Sequence, residues 1–184
     1  MTRNNLGASA LALAGLFFFV GQLVVQAAWT TPFSWADNNI SDLGETSAPW
    51  HALMNAVFVT NGLLLAVGAV TLFRRAARYL FLAAAAGSVL VGLAPADVNE
   101  NPHVLGAALV FVLGNLGMIT ARPAGPRWVP VLFGVVGLVA TVLHVTRHGL
   151  GIGVAGMERV AVFPLFAWFV IEGVIRLRTV AKPR

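Results

Sequence analysis

Four histidines, His51, His103, His144 and His148, are the only imidazoles in the 184-residue sequence. Counting apolar runs and charges places all four near the same end of their helices. His144 and His148 stand four apart, the spacing that lets two rings on one helix face ligate one metal ion. Asp42, Asp97 or Glu158 could complete a ligand set with His51 or His103. A zinc ion held this way would activate water for hydrolysis, with Ser41 or a spare carboxylate (Asp42, Asp97) positioning the nucleophile or taking its proton. The alternative is structural: histidine is tolerated at helix ends and among headgroups, where its amphipathic ring finds hydrogen bonds. Asp42 is open to the same double reading, because a carboxylate ahead of Gly44 can fold a loop by accepting backbone N–H bonds. Around these residues lie Asn55, four after His51 and so on its face, and Arg147, Glu158 and Arg159. The two arginines either pair with Glu158 and Asp97 or form a site for an anionic headgroup. Cysteine is absent, which excludes thiolate catalysis, Cys-ligated metal and disulfides.

The elements that must position these groups are membrane spans. At 58% hydrophobic and 10% charged, the chain has too little polar surface to cover itself in water, so lipid is the solvent for most of its side chains. Gly, Pro and charged residues cut it into six apolar runs of spanning length. These are about 6–28, 49–73, 79–94, 102–120, 128–145 (or to 148), and one that opens at Glu158-Arg159 and ends near 175. The first run is too long for a signal-peptide core and reads as an uncleaved helix. The expectation is an all-α, six-helix transmembrane bundle over residues 1–184, forming a single domain with an extracytoplasmic loop at 29–50.

Charge fixes the expected orientation. The basic residues Arg3, Arg74, Arg75, Arg78, Arg122, Arg127, Arg176, Arg178, Lys182 and Arg184 fall at the termini and at alternate turns, while Asp37, Asp42, Glu45, Asp97, Glu100 and Glu158 fall at the other loops and their edges. The positive-inside rule then places both termini in the cytoplasm, in a multi-pass protein of the bacterial inner (plasma) membrane. Glu172 and the pair Arg147 and Arg159 break the pattern, and Arg176, four residues after Glu172, suits an intrahelical pair with it. The net charge of +5 is accordingly a topology signal and not a sign of nucleic-acid binding. Gln22 and Gln26 share a face that should look into the bundle. Ala84, Ser88 and Gly92 make a small-residue stripe suited to close helix packing.

Three functions compete. The clustered polar residues favour a site that binds or processes a membrane lipid or apolar small molecule, one form of which is metal-assisted hydrolysis with zinc as the fitting ion. Asn61, Asn115 and Gln22 deep in the spans would serve a transporter of small molecules or ions, although no inverted repeat relates the two halves. A non-enzymatic scaffold, docking a membrane protein or a second copy of the chain, is the third.

Asn39-Ile-Ser-Asp-Leu-Gly44, Pro49 with Asn55 behind it, the basic turn after the second run, Pro95 followed by His103, and Gly156-Met-Glu-Arg159 together resemble the bacterial and archaeal membrane proteins grouped as the domain of unknown function 998. The resemblance runs nearly the length of the chain and implies a compact multi-span helical protein without specifying its chemistry. A more distant likeness, to ceramidase-like membrane hydrolases, rests on His144 and His148. It implies a Ser, an Asp and three His around an intramembrane zinc ion, although here Ser41 directly precedes Asp42 and six spans replace seven.

Overall fold

The computed structural model describes residues 2–180 and contains six helices long and apolar enough to cross a membrane. They are α1 (Arg3–Ala27), α2 (His51–Leu72), α3 (Arg75–Leu93), α4 (Glu100–Thr120), α5 (Trp128–Val145) and α6 (Val154–Val180). Lys182 and Arg184, counted in the basic tail, lie outside the described residues. Each helix packs on the next and α6 returns to pack on α1, so the six close into a ring.

Why these segments are helices that also tolerate lipid is clearest in α1. Thr2 caps it, its hydroxyl accepting the Asn5 N–H at 3.2 Å. Leu11, Phe18 and Val25, seven apart, form a buried stripe, while Leu13, Leu16, Phe17, Val20 and Leu23 are exposed on the remaining surface. A helix apolar on every side has no stable place at a water boundary. Since lipid is as apolar as the bundle interior, the packing gain is dispersion and hydrogen bonding rather than escape from water. Small residues let backbones approach for that purpose. The stripe on α3 works as its spacing suggests: Ala84 and Ser88 are buried, and Ser88 Oγ donates to the Phe58 carbonyl of α2 at 2.7 Å.

The ring is filled differently at its two ends. At the end carrying the chain termini, Phe73, Phe81, Trp168 and Phe169 interlock with centroids 4.8–5.9 Å apart. The other end is covered by the segment between α1 and α2, here called the lid, which carries a single 3-10 turn, Ser41–Gly44.

Several boundaries differ from those read in the sequence. Arg75 and Arg78 lie inside α3, so the basic turn shrinks to Phe73 and Arg74. Helix α4 begins at Glu100, before Pro102, and its middle, Leu109–Gly114, is wound as a π-helix. Helix α6 begins four residues before Glu158, which carries Glu158 and Arg159 a full turn inside the bundle. Helix α5 ends at Val145, and the chain reverses through Arg147 at φ 60. His148 therefore leaves the helix, and the shared face expected for His144 and His148 does not exist.

Candidate functional site

The lid is held by the first turns of α6. Glu158 Oε2 accepts the Ile40 N–H at 2.7 Å. Its neighbour Arg159 donates Nη1 to the carbonyls of Trp35 (3.1 Å), Asn38 (2.8 Å) and Ala155 (2.9 Å). The guanidinium lies 5.6 Å from the Phe33 ring centroid and 5.4 Å from that of Trp35. Two adjacent side chains thus grip two different parts of the lid. Their expected pairing with each other or with Asp97 is replaced by bonds to backbone, and Glu172–Arg176 is the salt bridge found among the described residues.

Local bonds shape the lid itself. Asp42 Oδ2 accepts the Asn39 N–H at 2.9 Å and the Asn38 amide at 3.3 Å, the loop-folding role considered for it. Asn55 Nδ2 donates to the Gly44 carbonyl at 2.9 Å, and a Cβ at Gly44 would run into Asn55 Oδ1. Gly153, at φ +85, brings the α5–α6 loop against Ala36, whose carbonyl accepts the Ala155 N–H at 3.1 Å. On the opposite side, Thr46 donates both its N–H (2.8 Å) and its hydroxyl to Asp97 Oδ2. That hydroxyl bond holds the Asp97 carboxyl below its usual 3.8. Glu45 is pushed above its ordinary 4.5 by partial burial and then by the nearby charges of Asp42 and Asp97.

Beneath the lid is a cavity of about 470 Å³. Its floor is apolar, formed by Phe18, Phe58, Val91, Val110, Val162 and Phe166, and its upper wall carries Ser41, Asp42, Asp97, His103, His144 and Glu158. The inner segments of α4 pack on α5, whereas its outer turn does not make comparable contact. Val104, Val112 and Val145 line the cavity and are also exposed, so its side opening lies between these two helices and faces where lipid would be. The π-helical turn of α4 supplies Phe111 and Val112 there. Asn115 braces it, donating Nδ2 to the Phe111 carbonyl (2.6 Å) and to the Ala161 carbonyl of α6 (3.0 Å).

The chain matches, over residues 12–175, the family model described as Protein of unknown function (DUF998). The chain belongs to this family. No match was found among curated proteins or among solved structures. The matched span of this DUF998 protein contains the whole lid, the cavity and both halves of the lid anchor. The Asn39-Ile-Ser-Asp-Leu-Gly44 run and the Glu-Arg pair that carry the resemblance in the sequence are joined in space through the Ile40–Glu158 bond.

Of the residues singled out in the sequence, Ser41, Asp42, Asp97, His103, His144 and Glu158 share the cavity wall. His51, His148, Asn55, Arg147 and Arg159 do not line it. His51 Nδ1 bonds to the Ala48 carbonyl at 3.0 Å and His148 Nδ1 meets the Thr146 hydroxyl at 3.0 Å. Arg147 is exposed and Arg159 is spent on the lid, so the arginine-built anionic headgroup site has no counterpart on this wall. No group of three or more His, Cys, Asp or Glu side chains among the described residues is arranged to hold a metal ion. Sequence reading missed Glu100, Glu45, Thr141 and Phe111 as lining groups. One carried a usable signal: Thr141 precedes His144 by three on α5, a same-face spacing.

Proposed function

We propose that this DUF998 protein binds an amphiphile, a membrane lipid or an apolar small molecule with a polar head, whose tail enters between α4 and α5 and whose head lies under the lid. The observation that carries the reading is the cavity's division into an apolar floor with a lipid-facing opening and a polar wall beneath a loop. A pocket of this volume suits a small ligand or part of a lipid chain. The charge pattern supports cytoplasmic termini and an outer-leaflet cavity. Reaction chemistry at Ser41, Asp42 and Asp97 is not needed for this reading. Asp42 and Asp97 each have one oxygen engaged in holding the lid.

Saturable displacement of a fluorescent-chain amphiphile from protein in nanodiscs tests the proposal. Ala108→Trp, at an exposed position on the cavity mouth, should weaken binding at least about tenfold with the melting temperature unchanged. Equal, non-saturable partitioning into wild type, variant and empty discs would remove the proposal.

A further inference from the structure

Among the polar groups of the wall, hydrogen-bond acceptors outnumber donors. Glu158 is 5% exposed and lines the cavity, yet only its Oε2 is engaged; among the described residues nothing bonds to Oε1. His103, 7% exposed, directs Nδ1 to the Ala94 carbonyl at 2.8 Å, and His144 directs Nδ1 to the Val154 carbonyl at 2.8 Å. A carbonyl can only accept, so each Nδ1 carries a proton, and in the neutral ring Nε2 is left as an acceptor. Asp42, Glu45, Asp97 and Glu100 add carboxylates, and among the described residues no lysine or arginine lines the cavity. The wall's neutral donors are the Asn39 amide and the hydroxyls of Ser41, Ser88 and Thr141; Ser88 and Thr141 are already bonded to the Phe58 and Gly137 carbonyls at 2.7 and 2.8 Å.

A ligand head here must therefore supply donors. A phosphate or carboxylate head would meet several carboxylates with no lysine or arginine among the described lining residues to balance it. An ammonium bearing N–H groups offers both the donors and the charge, and its hydrogen bonds to carboxylate are roughly twice as strong as neutral ones. We infer that the cavity selects amphiphiles with a protonated primary or secondary amine head, placed between Glu158 Oε1 and the Nε2 atoms of His103 and His144, with Glu100 and Asp97 at the rim. This inference rests on the cavity being an amphiphile site and specifies which amphiphile.

The test compares a long-chain primary alkylamine, the chain-matched alkyl phosphate and a chain-matched neutral glucoside. Each displaces the fluorescent amphiphile from the whole protein in discs of zwitterionic lipid, with empty discs subtracted. The amine should bind at least about tenfold more tightly than the phosphate. Glu158→Gln, which retains an oxygen for the Ile40 N–H, should remove most of that preference by weakening the amine far more than the glucoside. Glu100→Gln, at an exposed rim position, should reduce it by a smaller factor, and serves as the readout if Glu158→Gln does not fold. Equal or tighter phosphate binding that Ala108→Trp still abolishes would overturn the amine assignment and leave the amphiphile site standing. An amine preference untouched by either acid variant would overturn it too. Failure of all three probes to saturate would overturn both.

Discussion

Helix α6 carries two buried glutamates, each with an arginine close by in sequence, and the two are used in opposite ways. Glu172, 1% exposed, accepts Arg176 Nε at 2.6 Å and the Ala124 N–H at 2.8 Å, while Arg176 also reaches the Arg122 carbonyl at 3.1 Å. Its charge is balanced in place, and the α4–α5 turn is fastened to the bundle above a solid aromatic core. Glu158 and Arg159 make no ion pair. Each bonds to lid backbone, and among the described residues nothing bonds to the second oxygen of Glu158 at the cavity wall. A buried charge that is fully paired is structural, whereas one left half-paired beside an open volume retains capacity for a ligand.

The largest effect expected from this comparison is on Arg159. Arg159→Ala would leave lid carbonyls without donors and remove a cation that rests on two aromatic rings, at a cost of about 3–5 kcal/mol. Thermal unfolding in detergent should show it, together with loss of amide-exchange protection across residues 34–42. A melting temperature close to wild type would mean that the lid is held some other way. Next, Glu172→Gln should destabilise by about 2 kcal/mol and Glu158→Gln by about 1 kcal/mol or less. Amphiphile binding should show the reverse order, and a common order in both measurements would erase the distinction between the two glutamates.

The pH response of the lid provides a local test. Asp97 has a lowered pKa in the folded chain, so its contribution is present above 3.8 and is lost as pH falls through its folded value. Glu45 has a raised pKa, so its unfavourable charge is relieved as pH falls toward 4.5. Exchange protection of the 39–46 amides should therefore rise modestly from neutrality to about 4.5 and fall again below 3.8, most at Thr46. Thr46→Ala should weaken that acid-side loss, and an unaltered profile would contradict the Thr46–Asp97 tie. The smallest effect is assigned to His148→Ala, within about 0.5 kcal/mol of wild type and with unchanged amphiphile binding, in contrast to weaker amine binding by His144→Ala.

Six spans and the loop of 29–50 were legible because lipid imposes length and composition on a helix and because Gly, Pro and charge interrupt the apolar runs. The grouping of His103, His144, Asp42, Asp97 and Glu158 at one end follows from topology alone. What helical spacing could not reveal was the point at which α5 stops. Four residues separate His144 from His148, but a positive φ at Arg147 intervenes, and no periodicity reports it. The partners of Arg159 were equally hidden. Two of them are lid backbone carbonyls more than a hundred residues away, and backbone groups leave no mark in a sequence. The cavity itself depends on the outer turn of α4 diverging from α5 and on the π-helical turn below it, neither of which has a residue-type signature.

The most direct test of an amphiphile seated under the lid is photolabelling. A long-chain alkylamine carrying a diazirine in its chain is irradiated with the wild-type protein in zwitterionic nanodiscs, and the labelled residues are located by peptide mass spectrometry. The account predicts labels concentrated on 104–112 of α4 and 141–145 of α5, suppressed by excess unlabelled amine and by Ala108→Trp. Labels spread over the lipid-facing residues of α1, such as Leu13 and Val20, with no suppression by competitor, would contradict it.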